Sequence, residues 1–281
     1  EICTDETNKS IKNGTSTYTH PAFTFGTQEL TGFWIGKFEV SGTTDKITIK
    51  PNVTSLRNET VSSFFAAIQN ISNKYSINGD SHMMKNMEWG AVTYLSHSKY
   101  GTCTDGICVE VGINNNGSYI TGCGAEAGSS EASSCDSYNT TNGMLASTTG
   151  NIYGVYDMSG GAWEYVMGNM VDSSGNFYPS SSGFTSAPES KYYDKYTYSS
   201  SHTTHGLGKL GDSTKETVKT FGSITGGWYS DYTGFPDSSI SWFIRGGYYS
   251  NGANAGMFYF RRNTGESDSH GSARGVLAVR G

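Results

Sequence analysis

The chain has 281 residues and a formal net charge of −6, with 16% charged and 13% aromatic residues. A disordered chain would be poor in aromatic residues and rich in net charge, so this sequence is expected to fold. It has no basic run, which excludes the electrostatic footprint of a nucleic-acid-binding protein. No apolar stretch approaches the roughly 18 residues needed to span a membrane, so we expect membrane attachment only through an anchor outside this chain.

The first part of the chain predicts short strands and a helix. Residues 1–30 are polar and turn-rich, and we interpret them as an N-terminal extension. Residues 33–40 are dominated by aromatic and β-branched side chains and predict a strand, and residues 46–50 alternate as a second, short strand. Residues 60–75 carry apolar side chains at steps of three and four behind Thr60, which predicts a capped helix.

A second helix is predicted from residue 82 to residue 98. Asp80 or Ser81 would cap it, and Gly101 lies just beyond its end, as a helix stop does. One face of this segment is an apolar stripe, which indicates packing against a core. The stripe consists of Met83, Met87, Ala91, Tyr94 and Leu95.

The five cysteines suggest two disulfides. Cys103 and Cys108 flank an Asp-Gly turn signal, and two strands leaving such a turn bring the two sulfurs within bonding distance. Cys123 and Cys135 would then pair across a loop and leave Cys3 over. Disulfides would place the chain in an oxidising compartment. Free thiols remain the alternative, and a zinc site is a poorer match because no second close pair or histidine set is present.

Four segments carry a resemblance to a known family. Residues 151–165 read NIYGVYDMSGGAWEY, residues 243–249 read FIRGGYY, residues 273–276 read ARGV, and residues 85–91 read KNMEWGA. The first is similar to the signature N-x-(Y/F)-G-(L/V)-Y-D-M-x-G-N-(V/A)-W-E-W of the formylglycine-generating-enzyme (sulfatase-modifying factor) family. The next two resemble its R-G-G-S-(W/Y) and closing G-F-R strands, and the last resembles a helix of the family. The match runs from about residue 32 to residue 279.

This resemblance implies an α+β, C-type-lectin-like fold with short antiparallel sheets, two helices and much irregular loop, as one domain over residues 1–281. In that frame Gly160 and Gly161 allow a sharp turn. Trp163 then delivers a large apolar side chain to the core. The Arg-Gly-Gly run at 245–247 starts a strand that a neighbour can approach closely.

The copper centre of the family's oxidases is not expected here. In those enzymes a pair of cysteines a few residues after the R-G-G-S-Y strand holds the metal, since two thiolates suit Cu(I). Residues 248–259 of this chain contain no Cys. The chain is therefore predicted not to be an enzyme. A divergent enzyme, with a pocket that the sequence does not identify, is the alternative.

Calcium is the one cofactor that the resemblance implies. The family binds it through loop carbonyls and carboxylates around the segment that precedes and includes Trp163. Asp157 and Glu164 would supply hard oxygen ligands, whereas Gly161 replaces the family's usual Asn and removes one ligand.

The C-terminal segment, residues 242–281, resembles the variable proteins of diversity-generating retroelements, which use the same lectin-like fold. Framework-like residues there alternate with chemically diverse ones. Tyr, Asn and Ser provide rigid or adaptable contacts in binding surfaces. The candidate ligand-binding residues are Tyr248, Tyr249, Asn251, Asn254, Tyr259, Arg261, Arg262, Asn263, Glu266, Asp268 and His270.

The functional hypothesis is a non-catalytic, adhesin-type binding protein, encoded by a bacterium or phage and located outside the cell or at its surface. Its ligand is expected to be a protein or a glycan, and nucleic acid is not expected. A structural, pilin-like surface protein without a specific ligand is the alternative.

Overall fold

The computed structural model describes residues 19–178, 180–203, 205 and 210–278. Over these residues the chain is mixed α+β, with few helices, short strands and long irregular loops. No helix among the described residues is both long enough and apolar enough to cross a membrane. The helices are α1 (Val61–Gln69), α2 (Ile71–Lys74), α3 (Asn86–Ser96) and α4 (Ser213–Glu216).

The helix predicted over residues 60–75 is confirmed as α1 followed by the one-turn α2. The Thr60 side chain accepts a hydrogen bond from the backbone N–H of Ser63 at 3.2 Å, so it caps α1 as expected. The apolar face of α1, which includes Phe64 and Ile68, is buried in the core.

The second helix begins later than predicted, because residues 80–83 form a strand. The helix α3 starts at Asn86, and neither Asp80 nor Ser81 caps it. Instead the Glu88 carboxylate accepts the backbone N–H of Lys85 at 2.8 Å. Pairing with the C-terminal strand outweighs the local helical pattern here.

Fourteen short strands occur among the described residues. They are β1 (Thr24–Phe25), β2 (Gln28–Glu29), β3 (Phe33–Ile35), β4 (Ser41–Thr43), β5 (Lys46–Thr48), β6 (Asp80–Met83), β7 (Cys103–Thr104), β8 (Ile107–Cys108), β9 (Trp163–Met170), β10 (Asp194–Tyr196), β11 (Trp242–Gly246), β12 (Gly256–Asn263), β13 (Gly271–Ala273) and β14 (Gly275–Ala278). The strand predicted over residues 33–40 is thus only three residues long, and the one predicted over 46–50 is confirmed over its first three.

The main sheet has the strand order β10-β9-β11-β12, and β13 also pairs with β9. The β9–β11 and β11–β12 pairs are antiparallel, whereas β9 runs parallel to β10 and β13. The expectation of antiparallel sheets therefore holds for the smaller sheets but only in part for this one. A second sheet of order β3-β14-β6 is antiparallel throughout.

The core lies on both faces of the main sheet. Alternation along β9 sends Tyr165 and Met167 into the cluster that includes the apolar face of α1. Val166 and Met170 enter the opposite cluster, which includes Trp89 of α3. Both faces of β9 are therefore covered, and the first residue of this strand lies at the edge of the core.

The two predicted disulfides are confirmed. Cys103 pairs with Cys108 across the β7–β8 hairpin, where the two residues are directly opposite. Cys123 pairs with Cys135, which is twelve residues further along the chain. Cys3 lies outside the described residues, as does all of the N-terminal extension before Thr19.

Glycines shape the two turns that the motifs indicated. Gly160 and Gly161 have φ angles of +74° and +67°, so the sharp turn before β9 is confirmed. Gly246 and Gly247 also have positive φ. They follow Arg245 at the end of β11, so the Arg-Gly-Gly run ends a strand. The prediction that this run starts a strand is wrong.

Candidate functional site

Two buried arginines link the strands that lie beneath the C-terminal loops. Arg245 on β11 donates from Nε to the Tyr259 carbonyl at 2.9 Å and from Nη1 to Asn86 Oδ1 at 2.6 Å. It therefore ties β11 to β12 and to the start of α3. Burial lowers the pKa of Arg245 to about 10, which leaves the guanidinium charged at neutral pH.

The second arginine, Arg274, forms an ion pair with Glu164. Its Nε donates to Glu164 Oε2 at 3.0 Å, and Nη2 donates to the other oxygen of the same carboxylate. The remaining donors bond the carbonyls of Gly36 and Tyr156 at 2.7 and 2.9 Å. Both charged side chains are fully buried, so the C-terminal strands are fixed to β9 from inside the protein.

The same contacts argue against calcium at the two predicted ligands. Both oxygens of Glu164 accept hydrogen bonds from Arg274. Asp157 Oδ1 accepts from the Asn114 amide and from the backbone N–H of Gly122, each at 2.8 Å. A cation there would displace these donors and lie beside a guanidinium. Asp157 and Glu164 therefore do not fit the expected calcium site, and they act as buried supports instead.

A third buried carboxylate, Glu39, was missed by sequence reasoning. Its Oε1 accepts the backbone N–H of Ala162 at 2.8 Å, and the Ser55 hydroxyl donates to Oε2. Burial, with Asp157 and Glu164 nearby, raises the pKa of Glu39 well above its ordinary value. The only sequence signal was an acidic residue inside an apolar run. Through the hydrogen bond to Ala162, Glu39 stabilises the turn that precedes Trp163.

Above this support five rings form a continuous surface, which we call the aromatic strip. The Tyr119 and Tyr249 ring centroids are 4.8 Å apart, and those of Tyr249 and Tyr248 are 5.1 Å apart. Tyr248 also contacts Trp163 at 4.8 Å and His270 at 5.1 Å. Tyr119 is buried and the other four are half-buried. Rings from four separate segments of the chain therefore meet in one place.

An arginine lies at each end of the aromatic strip. The Arg57 guanidinium is 3.8 Å from the Tyr119 ring centroid, and its Nη1 donates to the Ser269 carbonyl. The Arg261 guanidinium is 5.9 Å from the rings of both Trp163 and Tyr232. Both distances are within the range of cation–π attraction.

The structure brings four of the predicted residues to this surface: Tyr248, Tyr249, Arg261 and His270. Asn251 lies just behind them, where its Oδ1 accepts the backbone N–H of Tyr248 at 2.9 Å and closes the turn. Asn254, half-buried in the next turn, accepts the backbone N–H of Tyr232 through its carbonyl at 3.1 Å. Both asparagines are therefore held in the loops that position the rings.

Two predicted residues on β12 are not exposed at the aromatic strip, for different reasons. Tyr259 is only 2% exposed, so its prediction as a direct contact is wrong. It packs beneath Tyr232 with the ring centroids 5.8 Å apart, and burial raises its pKa. Arg262 points to the other face of the strand, because neighbouring strand residues alternate, and it forms an ion pair with Asp237.

The remaining predicted residues belong to the loop between β12 and β13. The Asn263 amide donates to Asp268 Oδ2 at 3.3 Å, and Asp268 Oδ1 accepts the backbone N–H of His270 at 2.8 Å. These two residues fix the loop that presents His270. Glu266 keeps an exposed side chain, while its carbonyl accepts the Tyr165 hydroxyl at 2.8 Å.

Three residues of the surface were not predicted: Arg57, Tyr119 and Trp163. Trp163 was expected in the core, but it is half-buried at the start of β9. Because both faces of β9 are covered by the core, alternation along the strand could not have indicated this. Arg57 and Tyr119 come from distant loops, and no local pattern marks them.

No family model matches this chain, and no curated protein matches it. What the chain does is therefore inferred from the aromatic strip, its two arginines and the buried ion pair below them.

Proposed function

We propose that this chain is a non-catalytic, adhesin-type protein that binds a ligand through the aromatic strip, with Arg57 and Arg261 at its ends. The observation that carries this proposal is the convergence of Trp163, Tyr248 and Tyr249 with these arginines on one surface. Tyr, Trp and Arg dominate the binding energy of protein interfaces, because they combine large contact area with polar groups at low entropic cost.

The scaffold under this surface is proposed to be C-type-lectin-like, of the formylglycine-generating-enzyme type. What supports this is the spatial meeting of the family-like segments. Arg245 of the Arg-Gly-Gly run pairs across the sheet with Glu164 of the Trp-Glu-Tyr run. The closing segment at 273–276 supplies Arg274, the buried partner of Glu164. Motifs distant in sequence thus contact one another directly.

The C-terminal segment is proposed to vary among related copies, under the control of a retroelement. Its residues divide into two classes that suit such a role. Arg245, Phe260 and Arg274 are fully buried, whereas Tyr249 and Arg261 reach the surface. Substitutions at the exposed positions would change what the protein recognises without changing its interior. Residues 279–281 lie outside the described residues.

An extracellular or cell-surface location, in a bacterial or phage context, is part of the proposal. The two disulfides support it, because such bonds persist in oxidising environments. Oxidase chemistry is not part of the proposal. The run 248–259 has no Cys, and the four cysteines between residues 103 and 135 are paired in disulfides.

Binding can be tested with a triple variant of the surface, Tyr249→Ala/Arg261→Ala/His270→Ala. Labelled wild-type protein and the variant would be screened against intact bacterial cells and an oligosaccharide array. We expect the variant to lose at least about tenfold in affinity for any ligand that the wild type binds. The control is Arg262→Ala, which removes a neighbouring arginine from the other face of β12. Equal binding by the triple variant would refute the site.

The retroelement part has a separate and inexpensive test in the neighbouring DNA. We expect a reverse-transcriptase gene and a near-copy of the 3′ coding segment that differs from it at adenines. If the complete sequence of the neighbouring DNA contained neither, the retroelement would be removed from the proposal. The proposal of a binding surface would be unaffected.

A further inference from the structure

We propose that the ligand is a protein segment that places a carboxylate against Arg261. This inference rests on the proposed function, and it adds the class and charge of the partner. It starts from the chemistry of the two arginines of the surface and from the angles between the rings that lie between them.

Arg261 is an exposed cation without a counter-ion. Among the described residues it forms no ion pair, whereas the adjacent Arg262 is paired with Asp237. Its contacts at the surface are the rings of Trp163 and Tyr232. Cation–π attraction to these rings and a hydrogen bond to the Tyr259 hydroxyl hold the guanidinium in place. A guanidinium has five N–H donors, so donors remain for hydrogen bonds to a carboxylate.

Arg57, at the other end of the strip, is likewise unpaired with any carboxylate in the described part of the chain. It stacks on Tyr119 and bonds a backbone carbonyl. Arg57 and Arg261 are thus cations without an ion-pair partner among the described residues, in a protein whose net charge is −6. An anionic partner complements such a surface, and charge complementarity gives both specificity and a faster encounter.

The acidic residues near the strip do not neutralise these arginines. Both oxygens of Asp268 accept hydrogen bonds within its own loop. Glu266 is exposed in the same loop, and Glu131 lies beside Gly117, which also borders Tyr249. Neither glutamate forms an ion pair among the described residues, so the guanidinium of Arg261 keeps its capacity for an incoming acid.

The ring geometry favours a protein over a sugar. Tyr119 and Tyr249 meet at 86°, Tyr248 and Tyr249 at 79°, and Trp163 and His270 at 76°. Three other contacts in the strip are tilted, at 57° for Trp163–Tyr248, 50° for Tyr248–His270 and 37° for Tyr119–His270. Rings set at such different angles do not form one flat face, on which a pyranose would stack. An uneven surface of rings with polar rims is typical of surfaces that bind proteins, in which aromatic and arginine side chains are enriched.

The test uses random, disulfide-closed peptides displayed on phage and selected on the immobilised full chain. We expect Asp or Glu to be enriched in the selected peptides. A synthetic peptide from that pool should bind Arg261→Gln at least about tenfold more weakly than wild type. Arg262→Gln should bind it as the wild type does. Replacing the peptide's acid by its amide should weaken binding to wild type by a similar factor and cause no further loss with Arg261→Gln, as expected of a coupled pair.

The possible failures separate this inference from the proposed function. Selected peptides without acidic residues, or equal binding by Arg261→Gln, would overturn the acidic partner while the binding surface stands. Binding to the oligosaccharide array alone would overturn the protein partner and also leave the surface standing. If the folded wild type bound no peptide, no oligosaccharide and no bacterial cell, the proposed function would fail as well.

Discussion

Arg274 and Glu164 form an ion pair in the interior, with Nε 3.0 Å from Oε2 and both side chains fully buried. The strand that carries Glu164 also begins with Trp163 of the aromatic strip. The pair therefore joins the C-terminal strands to the element that positions the ligand surface.

Removing one partner of this pair is expected to destabilise the protein strongly. Arg274→Met leaves the Glu164 carboxylate buried without its cation, and breaking a buried pair costs about 3–5 kcal/mol. Urea unfolding measures the change. Glu266→Gln, at an exposed carboxylate, is the control and should change the free energy of unfolding by about 0.5 kcal/mol or less. A loss below about 1 kcal/mol for Arg274→Met would contradict the role given to the pair.

The Glu39 carboxyl is expected to contribute a stabilisation that falls as the pH rises. Burial and its acidic neighbours raise the pKa of Glu39 well above the ordinary value. The folded state then holds protons more tightly than the unfolded chain, in which Glu titrates near about 4.3. The contribution of Glu39 to the free energy of unfolding is thus full below that value and decreases as the pH rises above it.

The variant Glu39→Gln isolates one part of this pH dependence. It removes the titrating group but keeps the oxygen that accepts the Ala162 N–H. We expect its free energy of unfolding, measured in urea from pH 5 to pH 8, to decline less steeply than wild type, by up to about 1.4 kcal/mol per pH unit. The exposed Glu131→Gln should follow the wild-type curve. Parallel curves for Glu39→Gln and wild type would show that Glu39 is not the group responsible.

The turn before β9 should not tolerate a side chain at Gly160. Its φ is +74°, and a Cβ there would lie 2.3 Å from the Asn114 carbonyl oxygen. Gly160→Ala is expected to cost more than about 2 kcal/mol, since backbone strain and a backbone clash combine. Gly150 has a similar φ of +65° with no atom within 4 Å of the added Cβ, so Gly150→Ala should cost only about 1 kcal/mol. Thermal unfolding of both variants makes the comparison, and equal losses would mean that contact plays no part.

The loop closed by Cys123 and Cys135 should contribute to stability. Replacing both by Ser is expected to cost about 3 kcal/mol, and replacing Cys103 and Cys108 about 2 kcal/mol, because the second loop is shorter. Denaturant unfolding without reductant measures both. Counting free thiols in the unfolded wild type provides the check, and a thiol count that includes these four cysteines would refute the pairing.

Asn251 offers a test of how the surface is positioned. Its Oδ1 accepts the Tyr248 N–H, so Asn251→Ala should loosen the turn and weaken binding of a selected peptide about threefold to tenfold. Asn251→Asp keeps the acceptor and should bind nearly as the wild type does. Similar losses in the two variants would indicate that the amide contacts the ligand directly.

Local patterns predicted the elements whose stabilising contacts are also local. The helix over residues 60–75 follows from its own periodicity and from the Thr60 cap, and the Cys103–Cys108 bond follows from the turn between the two residues. Residues 80–83 form a strand where part of a helix was predicted, because they pair with β14, almost two hundred residues later in the chain. Such a partner leaves no local signature.

The candidate surface was predicted in part for the same reason. Tyr248, Tyr249, Arg261 and His270 lie in the segment that the motifs indicated. Tyr259 was misassigned, because only the tertiary structure shows that Tyr232 covers it. Arg57 and Tyr119 were missed since loop packing alone brings them to the strip.

Arg261 and Arg262 are adjacent on β12, yet one faces outward beside the aromatic strip and the other is paired with Asp237. Consecutive codons of this gene would then be under different kinds of selection. At the first, natural selection can act on what the protein recognises. At the second, it acts on the ion pair with Asp237, away from the strip. A mutational process that diversified both alike would discard many of its products, so we expect targeted diversity to include position 261 and to spare position 262.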